Sequence, residues 1–341
     1  MNLLLLQNKT TAKHLLLLLF CFAILFGPAY TLFDSYNYDT VANPDLESYL
    51  GIAHFDFNQS PIRKYRVIVP LLASGIHYVF GPVFSSLAPY TFPGPDFSLC
   101  FSFLIVNCLF MSIFGLLVYQ YCKAYGVSTL GALVGLLSVL TCRWASYIAG
   151  LPLVDSLYLV VIGMTLLGIK TKNSKLIFLA IFIGPWAKES FVFVAPLIFF
   201  FSSVSKPKQL VWFILSGVLV FSFRYYLDTF SDTTTAMALK NDLSLVSKIP
   251  DSLRRLFSFH GLYELTAVVG PWGLLFISLL HKKIRMLLKQ KTTLYMGLFL
   301  LIVLLHALLS NELARMFYLA APITAVWLAL ITDEIVETFP K

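Results

Sequence analysis

Long apolar runs recur along the whole chain, among them Leu15–Phe26, Leu104–Val118 and Leu294–Leu309. A membrane-crossing helix needs about 20 mostly apolar residues. Segments approaching that length fall at 14–32, 98–121, 127–149, 151–169, 176–187, 190–205, 209–227, 263–280, 293–310 and 317–333. The pattern predicts an all-α, polytopic transmembrane helical bundle of about ten spans. Residues 1–341 read as a single membrane-embedded domain with outer segments at 33–97 and 228–262 and no separate soluble domain. Lys9 and Lys13 before the first apolar run match the start of a signal peptide. The run continues through Ala29, Tyr30 and Leu32 without a small-residue cleavage site, so a retained first span is expected.

Composition supports this reading. Hydrophobic residues make up 58% and charged residues 12%, whereas a soluble fold carries roughly twice that charged share. The net charge of +8 does not point to nucleic acid, because the lysines and arginines sit in short clusters between apolar runs, the arrangement that orients a chain in a membrane. One choice decides the topology. Val67–Leu87 is apolar enough to cross, but it contains Pro70, Gly75, Gly81 and Pro82, and a crossing there would place Lys170, Lys172, Lys175 and the Lys282–Lys291 cluster outside. Laid on or dipping into the outer face, it leaves these basic loops inside and most acids outside, as the positive-inside rule requires. Both termini are then cytoplasmic, in a plasma or inner membrane or one of the ER type. The segment DTFSDTTTAMALKNDLSLVSKIPDSLRRLFSFHGL is polar, with helix-forming stretches broken at Pro250. Gly131-x-x-x-Gly135 permits close helix packing. The five cysteines contain no CxxC and read as span residues, with a disulfide left open between Cys100 and Cys142.

The ionisable residues Arg143, Asp155, Lys188, Glu189, Arg224, Glu312 and Arg315 all fall at predicted outer helix ends or turns. Headgroup contact would explain any one of them. Together they point to work at the outer face, since a transporter places such residues near the midplane. Only Leu176–Ala187 separates Lys175 from Lys188. Twelve helical residues rise roughly 18 Å, short of a ~30 Å hydrocarbon core, so the Lys188–Glu189 turn is expected at the floor of a cleft. The first outer segment carries Asp34, Asp39, Asp45, Glu47 and Asp56, followed by Arg63, Lys64 and Arg66. Pro44 marks the start of a short helix with acids in its first turn. A carboxylate over such a cleft can act as general base for an acceptor hydroxyl, and nearby arginines and lysines can hold a lipid phosphate.

An acidic first outer loop, the run Tyr65-Arg66-Val67-Ile68-Val69-Pro70, a short hairpin turning at Lys188-Glu189, and Arg315 followed by Pro322 together resemble the GT-C superfamily. Its members are polytopic glycosyltransferases that take sugars from polyprenyl-phosphate carriers at the non-cytoplasmic face, usually with inversion. The resemblance implies a GT-C-like bundle with a helical first outer loop. It makes Asp45 the base, with Glu47 assisting and Asp34 and Asp39 as competing candidates. Arg66, Lys188 and Arg315 would contact the carrier phosphate, with Arg143 as a further contact. Asp155 and Glu189 complete the donor site, Glu189 orienting Lys188. Asp45-x-Glu47 stands where members carry DxD, ExD or DE, and the C-terminal soluble domain common among members has no counterpart here. The implied partners are the lipid bilayer and a polyprenyl-phosphate-linked sugar. The sequence indicates no cofactor; a divalent metal is left open with no ligand set for it. A transporter or flippase of a lipid-linked intermediate and a non-catalytic component of envelope-polysaccharide assembly are the alternative readings. No P-loop, GxGxxG, HExxH or GxSxG pattern is present, which argues against nucleotide-driven or hydrolytic chemistry.

Overall fold

The computed structural model describes residues 2–36, 38, 43–60, 62–88, 96–231, 245–310 and 312–338. In chain order, α1 (Asn2–Ser35) leads to a short α2 (Pro44–Ala53), then α3 (Ile68–Ser86) and α4 (Phe97–Ala124). Next come α5 (Thr129–Leu140), α6 (Arg143–Gly150), α7 (Asp155–Thr171), α8 (Ser174–Ala187), α9 (Phe191–Phe201) and α10 (Lys206–Asp228). The remainder holds α11 (Ile249–Leu256), α12 (Phe259–Val269), a 3₁₀ helix (Gly270–Leu280), α13 (Lys282–Lys291), α14 (Leu294–Ser310), α15 (Leu313–Phe317) and α16 (Ala321–Thr338). No strand occurs among the described residues. By length and composition, five units can cross a bilayer alone: α1, α3, α4, α10, and α15 with α16. Two bent pairs, α5–α6 at 58° and α13–α14 at 94°, bring the number to seven.

Helix α4 is the centre of the bundle and is buried along most of its length. Antiparallel α1 packs on it, with Phe33 against Phe97 at one end and Cys21 against Gly115 further in. The Gly131/Gly135 pair does what small residues permit, a close backbone approach. A Cβ on Gly135 would stand 2.6 Å from the Ala325 carbonyl oxygen, and one on Gly131 would stand 2.8 Å from that of Ala329. So α5 and α16 pack backbone to backbone.

One end of the bundle gathers the basic loops. Ser128 binds Asp333 through its amide (2.6 Å) and its hydroxyl (2.5 Å). Lys170 caps the Tyr125 ring, which is hydrogen-bonded to Tyr295. Ser203 donates to the Lys172 carbonyl, and Lys283 pairs with Glu334. The C-terminal ends of α4, α7 and α16 therefore meet the N-terminal ends of α5, α8, α10 and α14 here, with Lys172 in a connecting turn and Lys123, Lys175, Lys206 and Lys208 in the terminal turns of α4, α8 and α10.

One expectation needs correcting. The predicted span 263–280 is interrupted at Gly270, where φ is +61° and α12 gives way to the 3₁₀ helix. As expected, helical stretches change over at Pro250: a 3₁₀ helix (Leu245–Lys248) ends before it, and Pro250 occupies the first turn of α11, where a missing N–H costs nothing. Within Val67–Leu87, set apart from the spans because of its prolines and glycines, Ile68–Ser86 forms one continuous helix, long and apolar enough to cross a membrane by length and composition. Pro70 is accommodated in the first turn of α3. Helix α3 packs on the first two turns of α4 through His77–Ser98 and Phe84–Phe101. All five cysteines are buried free thiols, Cys100 and Cys142 included.

Candidate functional site

The end opposite the basic loops holds a buried ionic cluster. Its floor is set by Asn107 in α4, whose amide donates to the carbonyls of Leu151 (2.9 Å) and Leu153 (3.1 Å) and whose oxygen accepts from Ser156 (2.5 Å). These bonds fix the start of α7, and with it Asp155, ten residues along α4 from Phe97, about 15 Å below that end at 1.5 Å per residue. Counted from its other end, α7 lifts Asp155 about 24 Å above Thr171, some 6 Å less than a ~30 Å hydrocarbon core.

Asp155 is 2% exposed and bridges two cations from different elements. The Lys188 amine, from the α8–α9 turn, lies 2.8 Å from Oδ1. Arg315, from α15, reaches Oδ2 with both Nε (3.1 Å) and a terminal nitrogen. The other terminal nitrogen of Arg315 bonds Asp45 (2.8 Å) and Glu312 (2.7 Å), and Arg63 closes on the second oxygen of Asp45. Beside this group, Arg66 donates to Glu189 (2.9 Å) and to the hydroxyl of Tyr49 (2.8 Å), and Arg224 approaches the other Glu189 oxygen at 3.6 Å. Arg224 also lies over the Tyr65 ring, and Tyr65 donates to Asp228, the partner of fully buried Lys64.

Burial would push the Asp45 carboxyl up, but the guanidinium charges of Arg315 and Arg63 outweigh it and hold the group below the ordinary carboxylate range. Burial would likewise lower Arg66, and the Glu189 carboxylate more than reverses this. Such a set of fixed cations in a desolvated recess can bind an anion strongly, provided one of the internal carboxylates yields its place.

The structure brings together six of the residues nominated from sequence: Asp45, Arg66, Asp155, Lys188, Glu189 and Arg315. Three stand apart. Asp34 and Arg143 are exposed, and neither forms an ion pair with a described residue. Glu47 is also exposed, because two residues along a helix is roughly 200° around it, so it points away from Asp45. Asp39 lies outside the described residues. Tyr49 is the residue that shares the Asp45 face, at the i+4 spacing, and that spacing was readable in the sequence. Arg63, Arg224 and Glu312 also join the cluster; the sequence marks them as outer-face charges without giving them a role of their own.

A groove of about 440 Å³ is lined in part by Val67 and Phe223, the chain neighbours of Arg66 and Arg224. Its walls are apolar, formed by Val67 and Leu71 of the α3 region, Phe182 and Trp186 of α8, and Phe223 of α10. Among the described residues, no group of three or more His, Cys, Asp or Glu side chains is placed to hold a metal ion. What the fold defines is an all-helical protein with five to seven membrane-capable helices and a charged recess at one end. No protein-family model, curated protein or solved structure matches the chain.

Proposed function

We propose that this protein is a membrane-embedded glycosyltransferase of the GT-C type, moving a sugar from a lipid-phosphate carrier to an acceptor at the non-cytoplasmic face. The observation that carries the reading is the pairing of a desolvated cationic cluster with an apolar groove whose walls include Val67 and Phe223, the chain neighbours of Arg66 and Arg224. An amphiphile with a phosphate head and a hydrocarbon tail satisfies both at once. Lipid phosphate would lie against Arg66, Lys188, Arg315 and Arg63, with the tail along Leu71, Trp186 and Phe223. The height of the cluster favours this over a flippase. About 24 Å from the basic end is well past the ~15 Å midplane of a ~30 Å core, where a carrier would put its charges.

In this reading the chain has ten spans with α3 on the outer face, both termini are cytoplasmic, and the basic end is the cytoplasmic side. Asp45 is the general base, and the reaction inverts the anomeric centre. Radiolabelled sugar transfer from defined polyprenyl-phosphate donors tests it. Asp45→Asn removes basicity while keeping size, so kcat should fall by roughly 10²–10⁴-fold, the usual contribution of a positioned base. Full activity in Asp45→Asn, Asp34→Asn, Asp39→Asn and their triple variant would end the carboxylate mechanism. A non-catalytic role in polysaccharide assembly would then lead.

A further inference from the structure

Five cations and four carboxylates form the core of the recess, and the carboxylates are not equally fixed. Asp155 is the first residue of α7 and is locked by Asn107 through Ser156. Glu189 sits in the tight α8–α9 turn, whose backbone is pinned by Lys188 N–H to the Gly184 carbonyl and Phe191 N–H to the Lys188 carbonyl. Glu312 lies three residues from Arg315 and is half exposed. Asp45 alone is carried on a short helix of the outer segment, α2, so it can leave without disturbing the end of a long helix. Its contact with Arg63 is open to solvent, with Asp45 15% and Arg63 26% exposed, whereas the Asp155 carboxylate is 3% exposed.

We infer that Arg63 and Arg315 form a phosphate site that the chain's own Asp45 carboxylate occupies at rest, and that a dianionic lipid phosphate displaces α2 to enter it. This rests on the lipid-phosphate reading above and adds to it a self-plugged resting state and a preferred head-group charge. With Asp45 in place the cluster carries one excess positive charge. Once it leaves, Arg63, Arg66, Lys188, Arg224 and Arg315 face only Asp155, Glu189 and Glu312, an excess of two. That excess matches a phosphate monoester or a diphosphate diester better than a singly charged phosphodiester. Displacement also frees Asp45 of the two guanidinium groups that suppress its basicity, so the group becomes a competent base only when the anion has arrived. A diphosphate-linked sugar donor would thus switch on the chemistry as it binds, while a phosphate monoester, which carries no sugar, probes the site alone.

Farnesyl phosphate, titrated into the purified protein in detergent micelles and followed by calorimetry, tests the plug. Removing the internal competitor should tighten binding at least tenfold in Asp45→Asn and Asp45→Ala, the gain expected when fewer than one molecule in ten has the site open at rest. Glu47→Gln, on the opposite face of α2, should bind as wild type does. In the wild-type protein, which needs no variant to fold, farnesyl phosphate should lower hydrogen-exchange protection of the α2 amides. Equal or weaker binding in both Asp45 variants, or unchanged α2 protection, would overturn the plug while leaving the lipid-phosphate reading intact if Arg63→Ala or Arg315→Ala abolished binding. Failure of every form to bind farnesyl phosphate would overturn both.

Discussion

Replacing Asp155 by asparagine isolates one buried charge, and its cost can be worked from the contacts. Lys188 is 8% exposed and its amine meets one carboxylate, Asp155, at 2.8 Å. Arg315 keeps Asp45 and Glu312, so the orphaned group is the lysine. Its least costly response is to shed the proton. From an unfolded-state pKa of about 10.4, doing so at pH 7.4 costs roughly 4 kcal/mol, at ~1.36 kcal/mol per unit, within the 3–5 kcal/mol typical of a broken buried pair. Two consequences follow. Because folding then releases a proton, the deficit of Asp155→Asn should shrink by up to about 1.4 kcal/mol per pH unit between pH 7 and 9. Adding Lys188→Met deletes the orphaned charge and should restore most of the loss, a coupling on the order of 3 kcal/mol. Unfolding by SDS titration in micelles, followed by tryptophan fluorescence at both pH values, measures each term. A double variant no more stable than Asp155→Asn alone, with a deficit independent of pH, would show that packing and not charge holds this junction.

Asp45 is held below the ordinary carboxylate range by Arg315 and Arg63. The stability it contributes is therefore fully present above that range and lost as pH falls through its depressed value. Hydrogen exchange of α2, corrected for intrinsic rates, should stay protected from pH 8 to 5 and open only in stronger acid; loss of protection between pH 7 and 5 would contradict this. Gly135→Leu drives a side chain into the Ala325 carbonyl and should destabilise the fold by at least the ~1–3 kcal/mol of an overpacked contact, read in the same SDS titration. Cysteines placed at Ser174 and Lys289 should be labelled from the same side of the membrane, and labelling of either from the outer side would refute the proposed orientation.

The long helices were legible because continuous apolar stretches leave the chain few other ways to satisfy its backbone in lipid. Legible too was the turn at Lys188–Glu189, since short apolar runs flank it on both sides. The interruption at Gly270 was not, because Gly270 and Pro271 lie in a run whose hydropathy resembles that of a span. At the recess, charge position marked Asp155, Lys188 and Arg315, but ranking Asp45 by its neighbour Glu47 used chain spacing where helix rotation decides. The same rotation would have pointed to Tyr49. Arg63 and Arg224 come to the cluster through the mutual arrangement of α2, α8, α10 and α15, which no local pattern encodes.

Asn107 gives the recess a fixed height. Its carboxamide uses both ends at once, donating to two carbonyls of the α6–α7 connection and accepting from Ser156. A one-residue slip of α4 along α7 would move it by about 1.5 Å and turn it by about 100°, breaking all three contacts together. The depth of the charged floor is therefore recorded inside the helix bundle and not in the connecting loops. The outer segments could be lengthened, shortened or exchanged to suit a different acceptor while the floor beneath them stayed at the same level.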